Sequence, residues 1–156
     1  MAYLDIITLA EAKTYLRIDD TLTEDDAQIT RMIKASLSQI ERVTNYILFA
    51  RAKDYVVENC SVNVYDYPIN SLTTPTTATS VEKSIYTTYT TTSNDDLKVV
   101  LNVGYVNPLD VPSDLIEVAF EMIDLMYYSP ETGKSIKSDL SELSKMVLSN
   151  YKRFFI

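Results

Sequence analysis

The sequence predicts a mainly α fold: an antiparallel helical bundle with a β-rich insertion, a hairpin or small sheet, between a long second helix and a core helix. Two observations carry this. Apolar residues recur at helical spacing over about 8–17, 24–48, 113–128 and 136–154. From about 53 to 104 that spacing is lost, and β-branched and aromatic residues take over. With 156 residues, 46% hydrophobic and 23% charged, the chain is long enough to bury a core, so 1–156 reads as a single domain.

The first helix follows Thr8-Leu9-Ala10-Glu11, where hydroxyl and carboxylate stand at capping-box spacing. Leu9, Ala12 and Leu16 form its narrow apolar stripe. The run Asp19-Asp20-Thr21-Leu22-Thr23-Glu24-Asp25-Asp26 then places Thr23 as the cap of a second helix, whose first-turn carboxylates face the positive end of the macrodipole. A calcium loop is the alternative, but the run lacks the central Gly and the closing Glu of an EF-hand. Ile29, Ile33, Leu37, Ile40, Val43 and Ile47 continue every three or four residues, giving a helix of about 37 Å, the length of a small domain.

In the insertion, ten of the twenty residues from Thr73 to Thr92 are Thr. Val62 and Val64 alternate with Asn63, and Leu97, Val99, Leu101 and Val103 alternate with Lys98, Val100 and Asn102, so these runs mark the two clearest strands. Segments 75–80 and 90–96 have the composition of exposed, mobile loops. The tract Ile85-Tyr86-Thr87-Thr88-Tyr89-Thr90 reads either as a recognition loop, since Tyr offers apolar area with a polar tip, or as an edge hairpin. Pro112 stands at a first helical turn, and Leu115, Val118, Ala119, Met122, Ile123, Leu125 and Met126 make the following helix central to the core. After Pro130 and Gly133, Ile136, Leu140, Leu143, Val147, Tyr151 and Phe154 trace the last helix. The chain runs out through Tyr151-Lys152-Arg153-Phe154-Phe155-Ile156, an apolar terminus that either packs on its own domain or docks on another subunit.

Composition closes several chemistries. There is no His, so no Ser-His-Asp or Cys-His nucleophile and no His-containing zinc site can be assembled. Cys60 is the one cysteine and reads as a satisfied core thiol. Only Gly104 and Gly133 are available, too few for a P-loop or a GxGxxG turn. Acidic clusters are accounted for by helix starts and solvated faces, so no catalytic residue, metal site or cofactor is expected. Fourteen Lys and Arg against twenty-two Asp and Glu leave a net charge of -8, which opposes attraction to phosphate backbones and anionic lipid. No apolar run is long enough to span a membrane, and the first residues lack signal-peptide character, so the chain is expected in the cytosol or in an assembly formed there.

Several segments, in order, resemble the head-to-tail connector (adaptor, head-completion) family of tailed double-stranded DNA bacteriophages. The stretch Thr8 to Asp19 is similar to the family's first helix, leading into an acidic stretch and a long helix. Tyr67-Pro68-Ile69-Asn70-Ser71-Leu72 resembles its Pro-hydrophobic-x-Ser-hydrophobic segment. Val103-Gly104-Tyr105 followed by Val111-Pro112-Ser113-Asp114-Leu115 resembles its Gly-Tyr and Val-Pro entry to the core helix, and Tyr127-Tyr128 with the last helix completes the series. The Thr-rich stretch 73–92 matches no motif of the family.

The resemblance implies a non-enzymatic virion protein of the neck, assembled in the host cytoplasm. It would form a ring, expected to be dodecameric, joining the portal protein to the tail or to a tail-completion or stopper protein. DNA would pass through the channel without specific binding. It further implies that Tyr151, Lys152, Arg153, Phe154, Phe155 and Ile156 engage the portal, and that Tyr86, Thr87, Thr88, Tyr89 and Thr90 face the channel or a neighbour. Because the chain is acidic, attraction between copies is expected from apolar and hydrogen-bonded contacts. Two other readings remain: a small acidic binding protein, either a DNA mimic or an inhibitor of a basic partner, and a carboxylate-dependent hydrolase with two facing acids.

Overall fold

Helix α1 (Tyr3–Ile6) is one turn, and α2 (Leu9–Leu16) follows it. The structure is a computed structural model and describes residues 2–92, 98–128 and 140–153. At the start of α2, Thr8 N donates to Glu11 Oε2 at 2.8 Å and Glu11 N donates to Thr8 Oγ1 at 3.2 Å, the reciprocal cap legible in the sequence. Arg17 ends the helix in the left-handed region, with φ 58°.

The acidic run that follows is not organised by Thr23. Helix α3 (Asp26–Thr44) starts without a side-chain cap, and the loop before it gathers around Lys13. That side chain is buried; its Nζ donates to the carbonyls of Leu22 at 2.6 Å and Asp20 at 3.3 Å and lies 2.5 Å from Asp26 Oδ1. An ammonium withdrawn from water needs such partners, so the run serves as the lining of a buried cation.

Ile29, Ile33, Leu37 and Ile40 of α3 share one core with Leu115, Val118, Ala119, Met122 and Ile123 of α4 (Ser113–Tyr128). Ile7, Ala12, Leu16, Leu140 and, from α5 (Glu142–Asn150), Leu148 complete it. Each fully buried Ile or Leu contributes about 2 kcal/mol. Tyr127 OH, at the end of α4, donates to Asp25 Oδ2 at 2.7 Å just before α3, so these two helices run antiparallel. The apolar period of α3 continues to Ile47, yet the helix stops at Thr44. Thr44 Oγ1 donates to the Ile40 carbonyl at 2.7 Å and accepts from Tyr46 N at 3.1 Å, and Asn45 turns the chain with φ 61°. Ile47 is buried in a different core.

The expected mainly α bundle with a hairpin or small sheet is corrected here. Among the described residues there are two three-stranded antiparallel sheets, one ordered β1 (Arg51–Val56), β6 (Lys98–Val103), β3 (Ile69–Thr74), the other β2 (Ser61–Val64), β5 (Thr87–Thr90), β4 (Thr79–Glu82). The sheets escaped detection for physical reasons. The inward positions of β1 are Arg51, Lys53 and Tyr55, polar residues that hide its alternation. β3 is broken by register shifts between Ile69 and Ser71 and between Leu72 and Thr74, and β4 buries nothing.

The loop expected over 75–80 gives up Thr79 and Ser80 to β4; in the loop expected over 90–96, Thr90 ends β5 and Thr91 is buried, while 93–96 lie outside the described residues. Cys60 is half-buried in a turn rather than in the core: with Asn59 it takes positive φ, closing Glu58 onto Ser61 through two 3.0 Å backbone bonds. The predicted strand residue Leu97, the breakers Pro130 and Gly133, the first turns of the predicted last helix at 136–139 and the terminal Phe154, Phe155 and Ile156 also lie outside the described residues.

Helices and sheets join where three backbone segments cross. Ile47 N donates to Tyr67 O at 2.7 Å, Tyr67 N to Asn45 O at 2.9 Å, Gly104 N to Pro68 O at 2.8 Å, Tyr105 N to Ile47 O at 3.2 Å and Ala50 N to Tyr105 O at 2.8 Å. Gly104 has φ +107°, and a Cβ there would lie 2.2 Å from the Phe49 carbonyl oxygen. Gly104→Ala is therefore expected to destabilise the fold by on the order of 3 kcal/mol, because strain and a backbone clash combine. Chemical denaturation followed by tyrosine fluorescence measures it, and an unchanged midpoint would show that the crossing can spread.

Candidate interaction site

The C-terminal segment is positioned from both ends of α5. At the start, Glu121 of α4 accepts from Ser141 N at 2.6 Å, from Ser141 Oγ at 3.0 Å and from Ser144 Oγ. A carboxylate thus stands at the positive end of the helix dipole. Burial alone would raise the Glu121 pKa, but the hydrogen bonds from Ser144 and Ser141, with the charge of Lys145, outweigh it and hold the carboxyl below its ordinary value. At the far end the helix stops at Asn150, and Arg153 N donates to Thr44 O at 3.2 Å, tying the segment to the end of α3.

Tyrosines then fix it sideways. Tyr151 OH donates to Asp114 Oδ1 at 2.9 Å, and its ring meets Tyr46 edge-on at 5.0 Å. Tyr46 meets Tyr67 edge-on at 5.0 Å, and the Arg153 guanidinium lies 4.5 Å above the Tyr67 ring. Burial first, then the bond to Asp114, push Tyr151 up to about 12. Burial also raises Tyr105, with the neighbouring tyrosines adding to it. Both hydroxyls stay protonated at neutral pH, and that of Tyr151 donates to Asp114.

A cavity of about 180 Å³ opens beside this cluster, lined by Tyr67, Ile69, Ser80, Glu82, Thr87, Tyr89 and Arg153. The two segments singled out in the sequence therefore meet, since Arg153 comes from one and Thr87 and Tyr89 from the other. In the latter segment Thr87–Thr90 form the centre strand of their sheet, neither the recognition loop nor the edge hairpin that the sequence suggested. Tyr89 is buried, Thr88 Oγ1 donates to Asn63 Oδ1 at 2.8 Å, Thr90 is exposed, and Tyr86 packs on Tyr65 at 5.4 Å. Lys152 is half-buried. Arg153 Nε is buried without a hydrogen-bond partner among the described residues. The cavity thus sets the Arg153 guanidinium and the Glu82 carboxylate among hydroxyl-bearing side chains.

A second groove, of about 320 Å³, is lined by Ser38, Glu41, Arg42, Asn45, Ile47, Arg51, Lys53 and Asp66. Two carboxylates share it, the arrangement a hydrolase would need, but both are engaged. Glu41 accepts from Tyr3 OH at 2.6 Å, Leu48 N at 2.7 Å and Arg51 at 2.9 and 3.2 Å. Asp66 Oδ2 accepts from Lys53 Nζ and Tyr55 OH, each at 2.5 Å. Glu41 holds strand β1 onto helix α3, and Asp66 holds it to the chain before Pro68. Sequence reasoning missed this set and Tyr46 and Tyr67; the signal was the period-two spacing of Arg51, Lys53 and Tyr55. Among the described residues no group of three or more His, Cys, Asp or Glu is placed to hold a metal ion, and no helix is long and apolar enough to cross a membrane.

The phage gp6-like head-tail connector protein family matches residues 6–154. The chain belongs to this family of structural virion connectors. Similar solved chains share its fold. One, from the neck of an empty GTA particle computed with C6 symmetry, is 14% identical with a TM-score of 0.75, over 100% of this chain and 94% of the other. A second, from the virion of a native gene transfer agent particle, is 14% identical with a TM-score of 0.73, over 97% and 91%. A third, from the neck of a native GTA particle computed with C12 symmetry, is 12% identical with a TM-score of 0.72, over 100% and 94%. No curated protein matches.

The lowered pKa of Glu121 predicts a pH dependence for this connector. A carboxyl whose folded pKa is lowered contributes stability that is full well above its ordinary value of 4.5 and is lost as pH falls through the lowered folded value. Glu121→Gln is expected to speed amide hydrogen exchange in α5 and to weaken its docking by about 1 kcal/mol. It should also flatten the acid limb of α5 stability; equal exchange in both proteins across that limb would remove Glu121 as the anchor.

Proposed function

We propose that the chain forms a ring, expected to be dodecameric, at the neck of a phage-like virion, joining the portal protein to a tail-completion or stopper protein. The observation that carries this is the family match over residues 6–154. The chains of like fold that come from necks computed with C6 and C12 symmetry support the cyclic arrangement. Genomic DNA passes through the channel, where a chain of net charge -8 lets the duplex slide rather than bind. Assembly takes place in the host cytoplasm.

Within this reading the segment Tyr151–Ile156 engages the portal, and the sheet carrying Tyr86–Thr90 faces the channel or a neighbour. Support for the first comes from α5, which leads into the segment and leaves Leu143 and Met146, 66% and 55% exposed, on its outer face. Exposed apolar side chains beside an aromatic and cationic segment are the composition of an interface core.

Light scattering over a concentration series, with and without the portal protein of the same genome, is expected to show a ring alone or on the portal. A monomer that ignores the portal at every concentration would overturn the reading. Arg153→Ala is expected to weaken portal association about tenfold, the loss typical of an interfacial arginine.

A further inference from the structure

We infer that copies of this chain meet through two charged helix faces, the basic outer face of α3 on one copy and the acidic outer face of α4 on the next. This rests on the ring reading and names the contact that closes it.

Helix α3 carries no acidic residue between Ala27 and Ile40. Its cations Arg31, Lys34 and Arg42 fall within an arc of about 80° on the face opposite its buried isoleucines, and span about 16 Å along the axis. All three are exposed. Arg42 Nη2 donates to Gln39 Oε1 at 2.7 Å, and none of the three has an ion-pair partner among the described residues. Ser38 and Ala35 are the small residues between them.

Helix α4 is the counterpart. It carries no cation at all, and Asp114, Glu117, Glu121 and Asp124 recur at i, i+3, i+7 and i+10. They also fall within an arc of about 80° and span about 15 Å. Asp114 is held by Tyr151 and Glu121 by Ser141 and Ser144, with the charge of Lys145 near it. Glu117 and Asp124 have no ion-pair partner among the described residues. Their field is not neutralised locally: after burial, the charges of Asp124, Glu117 and Glu121 push the Tyr15 hydroxyl above its ordinary value.

In a chain of net charge -8, unpaired cations gathered on one helix face call for a partner surface of opposite sign. The second copy supplies it. Both helices bury their apolar sides in the same core, so the two charged faces look away from it on different flanks. Two different, complementary patches on one chain form a heterologous contact, the kind that generates a ring where its rotation closes. Glu117 and Asp124, the two carboxylates of the stripe that α5 and Tyr151 do not engage, are the ones left to meet the cations of the next copy.

Two charge-reversed proteins test this, one carrying Arg31→Glu with Lys34→Glu, the other Glu117→Lys with Asp124→Lys. Circular dichroism first checks that each folds. Ring assembly is then read by light scattering, alone and on the portal, across a salt series. Each variant by itself is expected to associate at least about tenfold more weakly than the wild type, and their mixture to recover assembly. The second variant is the sharper case, since it makes the chain less acidic and would strengthen association if net repulsion alone governed it.

Assembly of either variant like the wild type would overturn the inference while leaving the ring intact. Loss of assembly in both with no recovery on mixing would also overturn it. So would binding of a DNA duplex that Arg31→Glu with Lys34→Glu abolishes without changing assembly, because the basic face would then belong to the channel. A wild type that stays monomeric with and without the portal fails at the ring reading itself, and this contact falls with it.

Discussion

The fold depends on the close approach of three backbone segments at Gly104. The end of α3 leads to residues 45–50, which pair with 67 and 105, while Gly104 donates to Pro68 and its carbonyl accepts from Asn70 Nδ2 at 2.6 Å. Helices and sheets have separate apolar clusters, one around α3 and α4, the other around Val64, Tyr89, Val99, Leu101 and Val103. Neither cluster alone fixes how the two layers sit. Backbone hydrogen bonds are directional, so the crossing supplies the orientation that apolar burial, being non-directional, does not. The tyrosine cluster that holds the C-terminal segment is built on the same residues, Tyr46 and Tyr67.

Charges inside the molecule act on the same seam. Glu41 links α1, α3 and β1 through Tyr3, Leu48 and Arg51, and Asp66 draws Lys53 and Tyr55 of β1 toward the chain before Pro68. Buried ion pairs stabilise little relative to apolar packing of the same volume, yet removing one partner strands the other. Their effect is to fix register: shifting β1 by one residue would turn Arg51, Lys53 and Tyr55 away from their acceptors and leave both carboxylates unpaired. The polarity that makes β1 hard to recognise is thus what holds it in place.

This explains what the sequence revealed. Helices α2, α3 and α4 show in the chain because their cores are aliphatic and their period is uninterrupted: Ile29, Ile33, Leu37 and Ile40 leave one reading. The strands show only where the inward residues are aliphatic, as in β6 with Val99, Leu101 and Val103. Where inward positions are Arg, Lys and Tyr, where β3 is kinked by bulges or where β4 stays exposed, no alternation exists to be read. At the candidate site, Tyr151 and Arg153 could be picked out by their place near the terminus. Their partners Tyr46 and Tyr67, more than eighty residues away in sequence for each pair, become neighbours only through the crossing at Gly104. Likewise Lys13 gave no sign that the acidic run would fold around it, since a lysine on a short helix reads as solvated.

Net charge and local charge have separate consequences for assembly. At physiological salt the Debye length is about 8 Å, so repulsion between whole copies of an acidic chain is largely screened before their surfaces meet. What remains at contact is the pattern of nearby groups. Here it is segregated, with cations along α3 and carboxylates along α4. Acidity favours free passage of a duplex, and segregation favours ordered contact between copies; the two demands conflict only if charge is spread evenly. In the proposed ring, a chain that gathers three cations without ion-pair partners among the described residues on one face of α3 would meet both, because a flank docked on a neighbour would be withdrawn from the channel.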